Sequence, residues 1–195
     1  MEYMKEVFAQ YDRRCVRVYQ AYNSAIAAEA VALQTFGESF NLNRMTWIKP
    51  SFLWMMYRSN WGTKKNQECI LAIDVYQETF EGLLAKAVLT SPDAAGCDGL
   101  QWRRDFESAE VYCQWDPDRN PSGAPIGRAA IQIGLKGETL SEFLRTGIHR
   151  IEDLTPSVRK WNEQRKAGKL SAKSLPAERL YPLTNQAVRK RLSMK

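Results

Sequence analysis

The 195-residue chain has a single histidine, His149. That excludes any metal site built on two histidines, and a Ser-His or Cys-His nucleophilic pair would have to use this one residue. It falls late in "ETLSEFLRTGIHRI", a segment that reads as a helix, where an imidazole normally faces C-terminal carbonyls rather than a reaction centre. Cysteine is equally sparse. Cys15, Cys69, Cys97 and Cys113 lie far apart with no C-x-x-C pair, which argues against a zinc site or a secreted disulfide framework and for reduced, mostly buried thiols. The longest apolar run, Phe52 to Tyr57, is far too short to span a bilayer. The N-terminal segment has no apolar stretch of the signal-peptide kind. Neither G-x-G-x-x-G nor a Walker motif occurs. The expectation is a cytoplasmic protein with no membrane or metal partner. Any phosphate it binds must be gripped by arginines and helix N-termini.

What the chain does have is unevenly placed charge. The net +6 conceals a balance of +9 from Arg159 to Lys195 and −3 over residues 1–158. The division expected from this is a core domain, 1–158, and a basic helical extension, 159–195, packed on the core or trailing from it. A basic extension attracts polyanions or forms a solvated helix face.

Periodicity supplies the elements. "CVRVYQAY" alternates like a strand, with Val16 and Val18 pointing one way and Arg17 and Tyr19 the other. Asn23 or Ser24 caps the alanine-rich helix that follows, which should end at Gly37. Pro50 suits the first position of a helix running through "SFLWMMYRSNW" to Gly62. "ECILAIDVY" reads as a buried strand and "TFEGLLAKAVL" as an amphipathic helix. "TSPDAAGCDGLQ" is looser. "AEVYCQW" and "RAAIQIGL" are strands joined across the long turn "DPDRNPSGAP". "PSVRKWNEQRKAG" and "NQAVRKRL" are helices, with the irregular "SLPAERLYPLT" between them. The fold class expected is α+β: one domain, a mixed, mostly antiparallel sheet of about four to six strands, and packed helices.

The stretch "TWIKPSFLWMMYRSNW" holds three tryptophans and two cations in sixteen residues. A helix apolar all round belongs in a core. Its charged ends, Lys49 and Arg58, need a partner, such as Asp74 for Arg58, or a bound anion, so the ends border a candidate pocket. Polar residues inside strands extend the set: Arg17, Tyr19 and Gln20 in the first, Gln114 and Asp116 at the end of the third, Arg128 and Gln132 in the fourth. Arginines, planar amides and the rings of Trp47, Trp54, Tyr57 and Trp115 suit a ligand with phosphates and a flat ring. Asp116 is the candidate catalytic carboxylate, with Glu110 in reserve.

Five segments also carry a resemblance: "RVYQAYN", "RMTWIKPSFLWMMYRSNWGTK", "QWDP", "IQIGL" and "LPAERLYPL", in order from Arg17 to Leu183. On them the chain is identified as a member of the domain-of-unknown-function family 4291, a resemblance that brings no activity with it. More distantly, an arginine in the first strand, an aromatic-rich second segment and a late acidic residue resemble the ADP-ribosyltransferases. That likeness implies a split sheet clamping NAD, with Arg17 on the phosphates, Tyr57 or Trp54 on nicotinamide, and Asp116 in place of the glutamate. Gln114-Trp115-Asp116 stands where those enzymes carry Gln-x-Glu or Glu-x-Glu. The leading expectation is a transferase acting on a nucleotide or nucleic acid, with NAD as cofactor. The alternative is a non-catalytic module for RNA or single-stranded nucleic acid, in which the basic extension tracks phosphates and exposed aromatics stack on bases.

Overall fold

Alternating valines bury one face of Cys15–Tyr22 and make it a strand. A computed structural model describes residues 3–92 and 98–194; Cys97 and the middle of the segment read as loose lie outside the described residues. In chain order the strands are β1 (Phe8–Tyr11), β2 (Cys15–Tyr22), β3 (Thr46–Ile48), β4 (Cys69–Tyr76), β5 (Val88–Leu89), β6 (Val111–Arg119), β7 (Pro125–Leu135), β8 (Ile148–Asp153) and β9 (Arg179–Leu180). The helices are α1 (Ser24–Leu33), α2 (Phe52–Ser59), α3 (Gln77–Lys86), α4 (Gly99–Ser108), α5 (Gly137–Glu142), α6 (Thr155–Lys166) and α7 (Gln186–Arg191).

The fold is α+β, and its strands form two sheets rather than one. The first has the order β8-β4-β2-β1-β9 and the second β3-β7-β6-β5. Pairing is antiparallel throughout except between β5 and β6. Val16 and Val18 of β2 belong to the main core with Leu71, Ile73, Val111 and Ile133, while Tyr19 packs on the other face in a smaller cluster with Phe52, Met55 and Met56 of α2. The backbones of Tyr19 and Lys49 exchange hydrogen bonds of 2.8 and 3.3 Å, which tie β2 of one sheet to the chain leaving β3 of the other.

Several elements differ from the sequence reading, α1 among them, which ends at Leu33 with left-handed Gln34 as its cap rather than at Gly37. First, α2 starts at Phe52, because the Ser51 hydroxyl accepts from the Trp54 amide and takes the cap that Pro50 cannot provide. Left-handed Asn60, Trp61 and Gly62 then end it early. Second, the long turn shrinks to residues 120–124: β6 continues to Arg119, and the Asn120 carboxamide oxygen accepts from the Ser122 and Ala124 amides. Third, "ETLSEFLRTGIHRI" is not one helix. A π-helical turn at Phe143–Gly147 ends α5, and His149 lies on β8, paired with β4. There it is exposed, 3.2 Å from the Tyr76 hydroxyl.

The C-terminal residues are docked rather than trailing. Tyr181, Leu183, Val188, Leu192 and Met194 are buried in the main core. Arg189 pairs with Glu6 at 2.6 Å, and Arg191 donates to the Leu84 and Ala85 carbonyls at the end of α3. No helix among the described residues is long and apolar enough to cross a membrane.

Candidate functional site

Period two on β6 puts Gln114 and Asp116 on one face, and the register of β6 with β7 sets Gln132 directly opposite Gln114. The two glutamines converge on one carboxylate. Gln114 Nε2 donates to Asp116 Oδ1 at 3.0 Å, and Gln132 Nε2 donates to Oδ2 at 2.7 Å. Asp116 is thereby held in one orientation with half of its acceptor capacity still open. On the opposite face of β6, Trp115 turns into the core and its indole N–H donates to the Leu192 carbonyl at 2.8 Å, so it is no stacking surface.

The polar face of β6 and β7 forms one wall of a cleft of about 720 Å³ between the two sheets. That volume suits a small-molecule or nucleotide ligand. Gln20 of β2 closes another side, fixed by donation from its Nε2 to Thr46 Oγ1 at 2.6 Å and to the Trp47 carbonyl at 3.2 Å. Trp47 lies across Gly134 of β7, where a Cβ would meet the indole at 3.0 Å. The glycine is what lets the ring lie flat there. Trp54, Met55 and Arg58 come from the cleft-facing side of α2, and Lys49 from the strand end just before it.

Lys49 is the unusual group. Only 8% of it is exposed, and its Nζ donates to the Trp47 carbonyl at 3.2 Å. Burial chiefly, with repulsion from Arg58, pulls its pKa down to about 7, against an opposing pull from Asp116. Arg44, Arg58 and Lys65 are exposed cations on the same cleft. Among the described residues, no carboxylate lies within ion-pair distance of Lys49, Arg44, Arg58 or Lys65.

Eight of the residues singled out from sequence therefore meet here: Gln20, Trp47, Lys49, Trp54, Arg58, Gln114, Asp116 and Gln132. The others do not line the cleft. Arg17 turns to the far face of β2, where it grips Asp74 at 2.7 and 2.9 Å and Glu152 at 3.2 Å, so Asp74 is not the partner of Arg58. Tyr19 is fully buried against Phe52. Tyr57 is exposed, stacked on Trp54 and covered by the Arg119 guanidinium at 4.2 Å. Arg128 bridges Asp118 at 2.7 Å and Glu178 at 3.0 Å. Glu110, the reserve carboxylate, accepts from the Glu138 and Thr139 amides at the start of α5.

Arg17→Ala is accordingly expected to destabilise the fold by about 1–3 kcal/mol, the cost of leaving a partly buried Asp74 without its cation. Ligand binding in the cleft should be unchanged. Urea denaturation beside a ligand titration separates the two effects.

Sequence reasoning missed Asn23, Asn41, Arg44, Met45, Lys65, Asn66 and Gln67, all of which line the cleft. Three of them, Arg44, Met45 and Lys65, fall inside or directly beside the long segment Arg44–Lys64, so length of resemblance was the available signal. Among the described residues, no group of three or more His, Cys, Asp or Glu is placed to hold a metal ion. A family model described as Domain of unknown function (DUF4291) matches residues 6–181, and the chain belongs to that family. No curated protein matches the chain.

Proposed function

We propose that this member of the DUF4291 family is a transferase whose cleft takes a nucleotide, free or at the end of a nucleic acid. One observation carries the reading. A single concave site gathers a buried amine, Lys49, a carboxylate oriented by two glutamines, Asp116, and exposed cations without carboxylate partners among the described residues, Arg44, Arg58 and Lys65. Phosphates rest on the cations, a flat ring lies against Trp47, and Asp116 takes up a proton or offsets positive charge that develops during transfer.

NAD is the cofactor that the ADP-ribosyltransferase resemblance implies. Its diphosphate and rings match the chemistry of the cleft, yet the grip implied for Arg17 is lost to Asp74 and Glu152. Arg44, Arg58 and Lys65 are the cations left to hold that diphosphate. The non-catalytic nucleic-acid module is the weaker reading. It rests on the basic extension, where Arg189 and Arg191 are engaged by the fold itself.

A thermal-shift screen against NAD, ATP, GTP and short RNA at two salt concentrations tests this. A ligand at a hundred times its Kd adds about 2.7 kcal/mol of stability, roughly 5–10 °C for a chain of this size. The expected result is a shift with a nucleotide that persists at high salt and shrinks in Arg58→Ala. A shift with RNA alone that vanishes at high salt would replace the enzyme with the binding module.

A further inference from the structure

Two buried polar atoms of the cleft residues have no hydrogen-bond partner among the described residues: Gln20 Oε1 and Trp54 Nε1. Gln20 is 3% and Trp54 4% exposed, so bulk water does not readily serve them. A buried polar group left unpaired is costly to the fold. One acceptor and one donor, on two residues that line the same cleft, are thus left without a protein partner.

The amine of Lys49 is placed to react rather than merely to attract. Its backbone is pinned on both sides, by the exchanged hydrogen bonds with Tyr19 and by Pro50. Among the described residues its Nζ has one acceptor, a carbonyl, and no carboxylate at ion-pair distance. A lysine meant only to hold phosphate would serve better exposed, as Arg44, Arg58 and Lys65 are. A cleft lined by those cations selects a polyphosphate over a neutral carbonyl compound, so a phosphorus centre is the electrophile it presents to the amine.

We propose that Lys49 is the nucleophile of a nucleotidyl transfer and that the substrate is a nucleoside triphosphate. This rests on the nucleotide reading given above. The lone pair of Nζ attacks the α-phosphorus, and an Nζ–P bond forms. The bond from that phosphorus to the bridging oxygen breaks, and pyrophosphate leaves with the bonding pair. The proton lost by Nζ passes to water in the open cleft, since among the described residues no carboxylate lies at ion-pair distance from it. In the second half, an acceptor oxygen attacks the same phosphorus, the N–P bond breaks and Lys49 regains its pair and a proton. Because the amine titrates at about pH 7, half of it is in the neutral, nucleophilic form in a neutral solution.

The experiment incubates the full chain with each of the four ribonucleoside triphosphates, α-labelled, with magnesium. Label on protein, pyrophosphate release and melting shift are read in parallel for the native protein and Lys49→Met. The expected result is stoichiometric label with equal pyrophosphate. The label should be labile to acid and stable to alkali as a phosphoramidate is, sit on the peptide containing Lys49, and fall to background in Lys49→Met. Label on any other residue overturns the proposal. A nucleotide that raises the melting temperature without labelling removes the nucleophile and leaves the binding reading standing. Neither shift nor label removes both.

Discussion

Lys49→Met is expected to make the protein more stable. The lysine enters the fold with its pKa drawn from 10.5 down to about 7, chiefly by burial. Between those values the unfolded chain holds a proton that the folded chain lacks, so this residue's contribution improves as pH rises through the window. Below pH 7 both states are charged and the folded state bears the whole cost of a buried ammonium. A tenfold loss of proton affinity corresponds to about 1.36 kcal/mol, but water in the open cleft hydrates part of the charge. A gain of about 2–4 kcal/mol at pH 6 is therefore the expectation, shrinking toward zero near pH 10. Methionine keeps the length and the apolar packing of the stem. Melting curves of both proteins from pH 6 to pH 10 check it, and a variant less stable at pH 6 would mean that Lys49 supports the fold.

Arg128→Leu should have the opposite effect. Arg128 is the cation between two buried carboxylates: the side chain of Asp118 is 1% exposed and that of Glu178 is 9% exposed. Both carboxylates also hold the start of α2. Glu178 accepts from the Phe52 amide at 2.6 Å, and Asp118 accepts from the Ser51 hydroxyl at 2.8 Å. Breaking a buried pair by removing one partner costs about 3–5 kcal/mol, so a fall in melting temperature of roughly 6–20 °C is expected at pH 8. Acid relieves it. Burial already raises the pKa of Glu178 to about 7, so its folded form binds a proton that the unfolded form releases between pH 4.5 and 7. Its contribution is therefore present at low pH and lost as pH rises through 7. Without Arg128 the carboxyl protonates more readily still, and the loss measured by urea denaturation should be smaller at pH 5.5 than at pH 8. Equal losses at both would show that the cation is not balancing those carboxylates. Because α2 carries Trp54 and Arg58 into the cleft, the nucleotide response should weaken along with stability.

Much of the fold was legible in sequence, and the failures have physical causes. β2, β4 and the second half of β7 announce themselves by alternating or continuous apolar residues, because each buries at least one whole face. The splitting of the sheet does not, since β3 and β5 have three and two residues and exist only by pairing with β7 and β6. His149 was misplaced because "ETLSEFLRTGIHRI" joins a short helix, a π-helical turn and a strand whose apolar spacings run together. Helix α4 went unread, for it buries no residue fully and its Leu100, Trp102 and Phe106 sit among charges.

Within the site the same distinction holds. Lys49 and Arg58 stood out because charges at the ends of an apolar helix need an explanation. Gln114, Asp116 and Gln132 stood out because strand alternation puts polar groups on one face. Arg17 and Arg128 looked equivalent to Arg58 in sequence. What separates them is whether the fold brings a distant carboxylate against them, as it brings Asp74 to Arg17 and Glu178 to Arg128. Local sequence shows which residues are charged, while the fold decides which charges remain for a ligand.

The central claim is that Lys49 is a near-neutral amine at the floor of a polyanion cleft. Its most direct test is an NMR titration of the lysine side-chain Cε resonances, with Lys49→Met supplying the assignment, run with and without ATP. The account predicts one lysine resonance that titrates near pH 7, is absent from Lys49→Met and shifts when ATP is added. Titration of Lys49 near pH 10.5 with no response to ATP would contradict it.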